Sequence, residues 1–372
     1  MLFAPIGRFM EYSRTAASMG GGHGVIQRYR EFLPVSEDTC IISLNEGNTP
    51  LIQSHNLVQA MGGGFSLFVK YEGLNPTASF KDRGMTMAVT KAVENEVRAI
   101  VCASTGNTSA SAAAYAARAG LTCVVLIPEG KISYGKIAQA LIHGAKTIEI
   151  RGNFDDALEL VRELGMRDDI EIVNSINPFR IQGQKTAAFE ICDELGDAPD
   201  MHFLPVGNAG NITSYWMGYN EYKESGKSTS LPRMMGWQAE GSAPIVKGHV
   251  VTSPETVATA IRIGNPASWE QAVRASEESS GEIDTVSDDE ILDAHRMLAR
   301  TEGIFVEPAS AAGIAGIVKS HARGQITQGS TVVVTVTGHG LKDPGIAIEN
   351  AKAKSVVVEP NIKSVLHALG MG

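Results

Sequence analysis

From about residue 98 onward the chain alternates short, continuously apolar runs with segments of helical periodicity, and few folds accept that alternation. The runs at 99–103, 121–128, 147–150, 170–174, 201–206, 234–239 and 331–337 are rich in Val, Ile, Leu and Ala and have the length of strands. Between them lie helix-like segments: 108–120 is Ala-rich and ends in Gly120, and 134–143 is amphipathic and stops at Gly144. Others follow at 155–164, 212–223, 288–301 and 310–322, and Asn177-Pro178 reads as an N-cap with Pro at N1 opening a helix through 195. Strands without polar–apolar alternation are covered on both faces, so the pattern predicts a doubly wound α/β fold with mostly parallel strands. At 372 residues the chain is long enough for two or three domains. The rhythm weakens across 241–281, where Pro244, Gly248, Pro254 and Pro266 punctuate it; an elaboration with one helix near 255–263 is expected there. Gly62-Gly63-Gly64 and Gly20-Gly21-Gly22 read as turns.

Composition narrows the function classes. Apolar residues make up 43% and charged residues 20%, as in ordinary globular proteins. Thirty-two Lys and Arg against 41 Asp and Glu leave a formal charge of −9, a poor balance for binding nucleic acid or an anionic membrane. An anionic substrate would require positive charge concentrated in a site. Cys40, Cys102, Cys123 and Cys192 are far apart with no C-x-x-C spacing, which argues against a zinc site or a disulfide framework and fits a reducing, cytoplasmic compartment. No apolar run reaches the length of a membrane span. Arg8 and Arg14 are interrupted by Glu11 with no apolar stretch after them, so the start reads as a plain arm rather than a secretory leader.

Doubly wound sheets bind ligands where strands end and helices begin, and five such places carry suggestive residues. In Asn75-Pro-Thr-Ala-Ser-Phe-Lys81-Asp-Arg-Gly84, a lysine follows an irregular loop beside Phe80; desolvation there would free its amine as a nucleophile, although a surface lysine at a helix start has the same look. Ser104-Thr-Gly-Asn-Thr-Ser109 joins a strand to an Ala-rich helix and reads either as a capping turn or as an anion site. Gly207-Asn208-Ala209-Gly210-Asn211 lies between a strand and a helix, and its glycines permit a nest of backbone N–H groups; it is neither a P-loop nor G-x-G-x-x-G. Asn174-Ser175-Ile-Asn-Pro-Phe-Arg180 sets an arginine in a first helical turn, where it can grip an oxyanion or simply be solvated. Thr335-Val-Thr337-Gly-His339-Gly-Leu-Lys-Asp343 ends the last strand, with a hydroxyl at Thr337. Metalloprotease and serine-hydrolase readings find no H-E-x-x-H and no Gly-x-Ser-x-Gly, and no metal site is expected. Lys70 reads as a strand-end lysine without the surroundings of Lys81.

The lysine motif resembles that of pyridoxal-phosphate enzymes of the tryptophan-synthase β-like fold. The full ten-residue string and the Gly-Asn-Ala-Gly-Asn loop are similar to those of threonine synthases in particular. The resemblance runs from about Val25 to Asp343. It implies two doubly wound domains (fold type II), 68–185 forming the smaller and 1–67 plus 186–372 the larger, with pyridoxal phosphate in the cleft between them. It implies that Lys81 is the Schiff-base lysine and catalytic base, that Asn107 binds the cofactor's phenolic oxygen, and that Thr337 meets the pyridine nitrogen. Residues 207–211 would hold the cofactor phosphate, and Ser104, Thr105 and Thr108 the substrate α-carboxylate. Asn174, Ser175 and Arg180 would take the phosphate of O-phospho-L-homoserine. His339 stands where many relatives have Asn. The implied activity yields L-threonine and phosphate, in a homodimer. The alternatives are a serine/threonine dehydratase-like lyase on the same fold and a catalytically silent relative that binds the cofactor or a phospho-ligand.

Overall fold

The computed structural model describes residues 24–130, 134–152, 154–351 and 355–371. The turn expected at Gly20–Gly22 and the arm carrying Arg8 and Arg14 lie outside the described residues. Ten strands lie among the described residues: β1 Leu51–Gln53, β2 Ser66–Tyr71, β3 Ala99–Ala103, β4 Thr122–Pro128, β5 Lys146–Ile150, β6 Ile170–Ile172, β7 Met201–Pro205, β8 Arg233–Ala239, β9 Glu282–Val286 and β10 Thr331–Val336. They form a six-stranded sheet in the order β1-β2-β10-β7-β8-β9 and a four-stranded sheet in the order β5-β4-β3-β6. Every pair is parallel except β1 with β2, where Ile52 faces Val69.

The continuous apolar runs are the buried strands. Val332 and Val334 of β10, Phe203 of β7 and Trp237 of β8 are fully buried in the core of the larger sheet. Ile100, Cys102, Val125 and Ile127 do the same for the smaller one, packed on Ala112, Ala113 and Tyr115 of the Asn107–Ala119 helix. Small residues on that helix let it approach the sheet closely, so its alanines serve packing as well as propensity. The helix signals are realised in detail. The Asn177 side chain accepts from Phe179 N with Pro178 at N1, and Gly120 closes its helix in the left-handed conformation. Gly62, Gly63 and Gly64 all have positive φ, as a tight turn requires.

Three expectations fail for identifiable reasons. The helix near 255–263 is only a 3₁₀ turn, Thr259–Ile261, and the true helix of the elaboration is Trp269–Glu278. Ile261 is buried, but the chain around it presses on neighbouring backbone: a Cβ on Gly241 or Gly264 would lie about 2 Å from the carbonyl of Glu255 or Val251. The helix through 195 is divided into Pro178–Gln184 and Thr186–Leu195 at Lys185, which keeps helical φ and ψ, its N–H donating to Ile181 O and its carbonyl accepting from Ala188 N, three residues on, both at 3.0 Å. Lys70 is not a simple strand-end lysine: it is 1% exposed in β2, and its Nζ donates to Glu190 Oε2 and Thr49 O, both at 2.7 Å.

Candidate active site

The strand order dictates where the suggestive loops meet. β2, β10 and β7 are neighbours in the larger sheet, so the segments leaving their carboxyl ends, toward Lys81, Thr337 and Gly207, emerge side by side. In the smaller sheet β3 and β6 are neighbours, which brings the 104–109 loop beside Asn174 and the Pro178–Gln184 helix. Hydrogen bonds then stitch the loops together. Phe80 N donates to Thr337 O at 3.0 Å and His339 N to Ala78 O at 3.0 Å. Asn107 Nδ2 reaches across from the smaller sheet's helix to Glu307, 3.0 Å from Oε2 and 3.2 Å from Oε1.

Lys81 opens the Lys81–Glu94 helix, its Nζ 4.1 Å from the centre of the Phe80 ring. The side chain is ringed by protein yet still partly reachable from the cleft. Burial, helped by the positive charge of Arg180 and opposed by Glu307, brings its amine down to about 7. The two residues after it anchor the turn. Asp82 accepts from Thr77 N (2.6 Å), Thr77 Oγ1 (2.5 Å) and Ser111 Oγ (2.6 Å). Arg83 is clamped by Glu72 (Nε to Oε2, 2.7 Å) and Glu190 (Nη2 to Oε2, 2.6 Å), the same carboxylate that holds Lys70.

Thr337 is buried, with Oγ1 2.9 Å from Ser310 Oγ, while the backbone N–H groups of Thr337 and Gly338 donate to the same serine oxygen at 2.9 and 3.0 Å. His339, in the place where Asn was expected, stacks on Tyr71, and its Nδ1 accepts from Leu341 N at 3.2 Å. It caps the short turn that follows, which is what an Asn would do there.

The 207–211 loop is an anion cradle without an occupant of its own making. Ala209 sits at φ +65, and Gly210 starts a fifteen-residue helix whose first N–H groups have no intrahelical acceptor. A Cβ on Gly207 would stand 3.0 Å from Ile261 Cα and 3.3 Å from Ala260 O, so a side chain there would push against the neighbouring backbone. Asn208 is tied back by its Oδ1, which accepts from Ala267 N at 3.2 Å. The buried Asn211 Nδ2 has no partner. Orphaned donors at a helix start fit a phosphate, and a desolvated amine nearby fits an aldehyde; the residues present therefore suit pyridoxal phosphate.

A second cationic place lies on the Pro178–Gln184 helix. Arg180 is 1% exposed; Nη1 donates to Val173 O at 3.2 Å and Nε has no partner. Burial lowers its guanidinium to about 10, and no carboxylate pairs with it among the described residues. Ser175 is half-buried beside it. Asn174 is largely spent on structure, exchanging hydrogen bonds with Ala103 N (3.0 Å) and O (3.1 Å) to join β6 to β3, with one amide N–H to spare. Ser104, Thr105 and Thr108 are half-buried around the start of the Asn107–Ala119 helix, Ser104 Oγ accepting from Gly106 N at 3.1 Å.

Glu307, Ser310, Lys342 and Glu190 escaped the sequence reading. Glu307-Pro308 looks like an ordinary helix opening, yet the Glu307 side chain does not cap its helix. That mismatch appears only in three dimensions.

The family model described as "Pyridoxal-phosphate dependent enzyme" matches residues 42–338. The threonine synthase of Halalkalibacterium halodurans is 59% identical over 92% of this chain and 96% of its own length. That of Mycobacterium bovis is 59% identical over 94% of this chain and 96% of its own. Among solved structures, the processed threonine deaminase isoform 2 of Solanum lycopersicum superposes with a TM-score of 0.69 at 21% identity, covering 83% of this chain and 89% of that one, a likeness of fold alone. The chain belongs to the pyridoxal-phosphate-dependent enzymes of fold type II and, within them, to the threonine synthases.

Proposed function

We propose that this chain converts O-phospho-L-homoserine and water to L-threonine and inorganic phosphate. One observation carries the reading: the desolvated Lys81 amine is accompanied by two anion-seeking places, the 207–211 cradle and the unpaired Arg180. The cofactor phosphate needs one. A substrate that brings its own phosphate needs the other, whereas serine or threonine as substrate would leave a buried arginine without a counter-ion. Arg180 thus favours the synthase over the dehydratase-like alternative.

When bound, pyridoxal phosphate supplies a sink for the electron pair left at the substrate Cα. The chain's own residues do the rest. Gly207, Asn208, Ala209, Gly210 and Asn211 hold the cofactor phosphate, and Asn107 donates to its phenolic oxygen. Thr337 offers the pyridine nitrogen a neutral hydroxyl, a weaker proton holder than a carboxylate. Ser104, Thr105 and Thr108 take the α-carboxylate at the start of their helix. Arg180, Ser175 and the spare Asn174 N–H hold the substrate phosphate, fixing Cγ and its leaving group. Lys81, neutral in about half of molecules at pH 7, removes the Cα proton.

The reading includes a homodimer in the cytoplasm. It also keeps two domains, 68–185 and the remainder; the first boundary is better drawn after Tyr71, because β2 is hydrogen-bonded within the larger sheet. The test is to incubate the yellow holoenzyme with O-phospho-L-homoserine and measure both products. Equal amounts of phosphate and threonine are expected. No phosphate release, or 2-oxobutyrate and ammonia formed from threonine instead, would overturn the proposal.

A further inference from the structure

We propose that Glu307 is a positioning residue: its carboxylate fixes which way the Asn107 amide faces, so that Asn107 presents an N–H to the phenolic oxygen of the cofactor. The inference rests on the cofactor reading above.

The two ends of an asparagine side chain are nearly equal in size, so a half-turn about its last bond exchanges donor for acceptor. A carboxylate only accepts. With both Glu307 oxygens within 3.2 Å of Asn107 Nδ2, one orientation of the amide is selected. One N–H of that nitrogen is used and the second is left for a ligand. The reverse orientation would set Oδ1 against the carboxylate and expose an acceptor to a phenolate, which repels it.

Glu307 is itself rigidly placed. Its backbone N–H donates to Gly338 O at 3.0 Å, and Oε1 lies 3.5 Å from Thr337 Oγ1. Gly338 makes room for it, since a Cβ there would stand 2.5 Å from Oε1. The carboxylate is 5% exposed and forms no salt bridge among the described residues; burial raises it above the ordinary carboxyl value, and the Asn107 hydrogen bond with the charges of Lys342 and Lys81 works against that to favour the ionised form. Burying a charge with an amide as its hydrogen-bonding partner is costly for folding alone. The placement makes sense if the amide must be held.

The experiment compares wild type, E307Q, E307A, N107A and the double variants N107A/E307Q and N107A/E307A. Apo-protein is titrated with pyridoxal phosphate, reading cofactor affinity from tryptophan fluorescence and the position of the bound cofactor's absorbance band. Glutamine keeps the shape of Glu307 but pairs with either orientation of Asn107. E307Q and E307A are expected to weaken cofactor binding roughly three- to tenfold, the worth of one hydrogen bond, and to shift the band. In the N107A background the same exchanges should change affinity by less than about twofold and leave the band in place. Single variants that bind and absorb like wild type, or effects that multiply undiminished in the double variants, overturn the inference. A wild type that takes up no cofactor would instead strike the reading beneath it, and the inference with it.

Discussion

Loading of the cofactor onto Lys81 tests the electrostatics of the cleft directly. Attack on the aldehyde requires the neutral amine, so the loading rate follows the neutral fraction. A lysine at the ordinary 10.5 is neutral in roughly one molecule in 3,000 at pH 7. At about 7 the fraction is about one half, an advantage on the order of a thousandfold from environment alone. Stopped-flow mixing of apo-protein with pyridoxal phosphate from pH 5.5 to 10, divided at each pH by the rate for a free lysine analogue, removes the titration of the cofactor itself. The advantage should be greatest at and below pH 7 and shrink about tenfold per unit above it, as the free amine catches up. Charge neighbours give the signs for two variants: R180M should move the midpoint upward and E307Q downward, because Arg180 depresses the amine and Glu307 supports it. Linkage adds an equilibrium check. The folded value lies below the unfolded one, so apo-protein should gain stability as pH rises from about 7 toward 10.5. A constant ratio across the range, with both variants titrating like wild type, would refute the claim that the amine is desolvated.

Three further outcomes follow from other contacts. R180M should raise KM for O-phospho-L-homoserine roughly 10- to 100-fold, far more than it changes cofactor affinity, since the charge-assisted contact it removes is to the substrate phosphate and its effect on the cofactor runs only through the Lys81 amine; steady-state kinetics and cofactor titration check both. G183A would put a Cβ 1.9 Å from the Arg83 carbonyl, where the Lys81–Glu94 helix crosses its neighbour; thermal unfolding should register a loss of about 2–3 kcal/mol, or more if the helices cannot separate. E190Q removes the carboxylate shared by Arg83 and Lys70 and should cost about 3–5 kcal/mol in denaturant unfolding. Burial raises the Glu190 carboxyl, but Arg83 and Lys70 more than reverse this and hold it well below the usual range. Its contribution is therefore present above the unfolded carboxyl range and fades as pH falls through the folded value, so the gap between wild type and E190Q should narrow in acid.

The α/β alternation was legible because parallel strands covered on both faces leave uninterrupted apolar runs, as in β3, β4 and β10. β1, β2 and β9 were not. β9 is half-buried at the sheet edge and reads Glu-Ile-Asp-Thr-Val, and β2 carries Lys70 in its interior. A buried lysine in a strand looks like a boundary until its carboxylate partner, 120 residues away in the chain, is known. The site divides along the same line. Lys81, Thr337 and the 207–211 cradle announce themselves because a loop between strand and helix has a local spelling. Glu307 and Ser310 do not, because their meaning depends on what another segment sets against them: Asn107 in one case, the Thr337 and Gly338 backbone in the other.

Arg83, two residues after Lys81, and Arg180, whose charge reaches the Lys81 amine, show how burial separates structure from ligand binding in an acidic chain. Arg83 and Arg180 are both 1% exposed and lie on helices that pack together. Arg83 meets Glu72 and Glu190, and their charges outweigh the burial and hold its guanidinium well above the ordinary value. Arg180 has the same burial with no such partner, and its guanidinium falls to about 10. With nine more acidic than basic side chains in the chain, carboxylates are not scarce. A positive charge left unmatched in a wall of the cleft, with an unbonded Nε, is the feature that an arriving phosphate dianion would complete. If Arg180 were there for the fold, pairing it would stabilise the protein without penalty. A carboxylate introduced at the neighbouring polar position by Q184E should therefore separate the two roles, with cofactor uptake retained and phosphate release from the substrate lost. Gln184 Oε1 is itself buried and unpartnered, and the exchange preserves shape. A Q184E protein that turns over O-phospho-L-homoserine at the wild-type KM would show that Arg180 serves the fold after all.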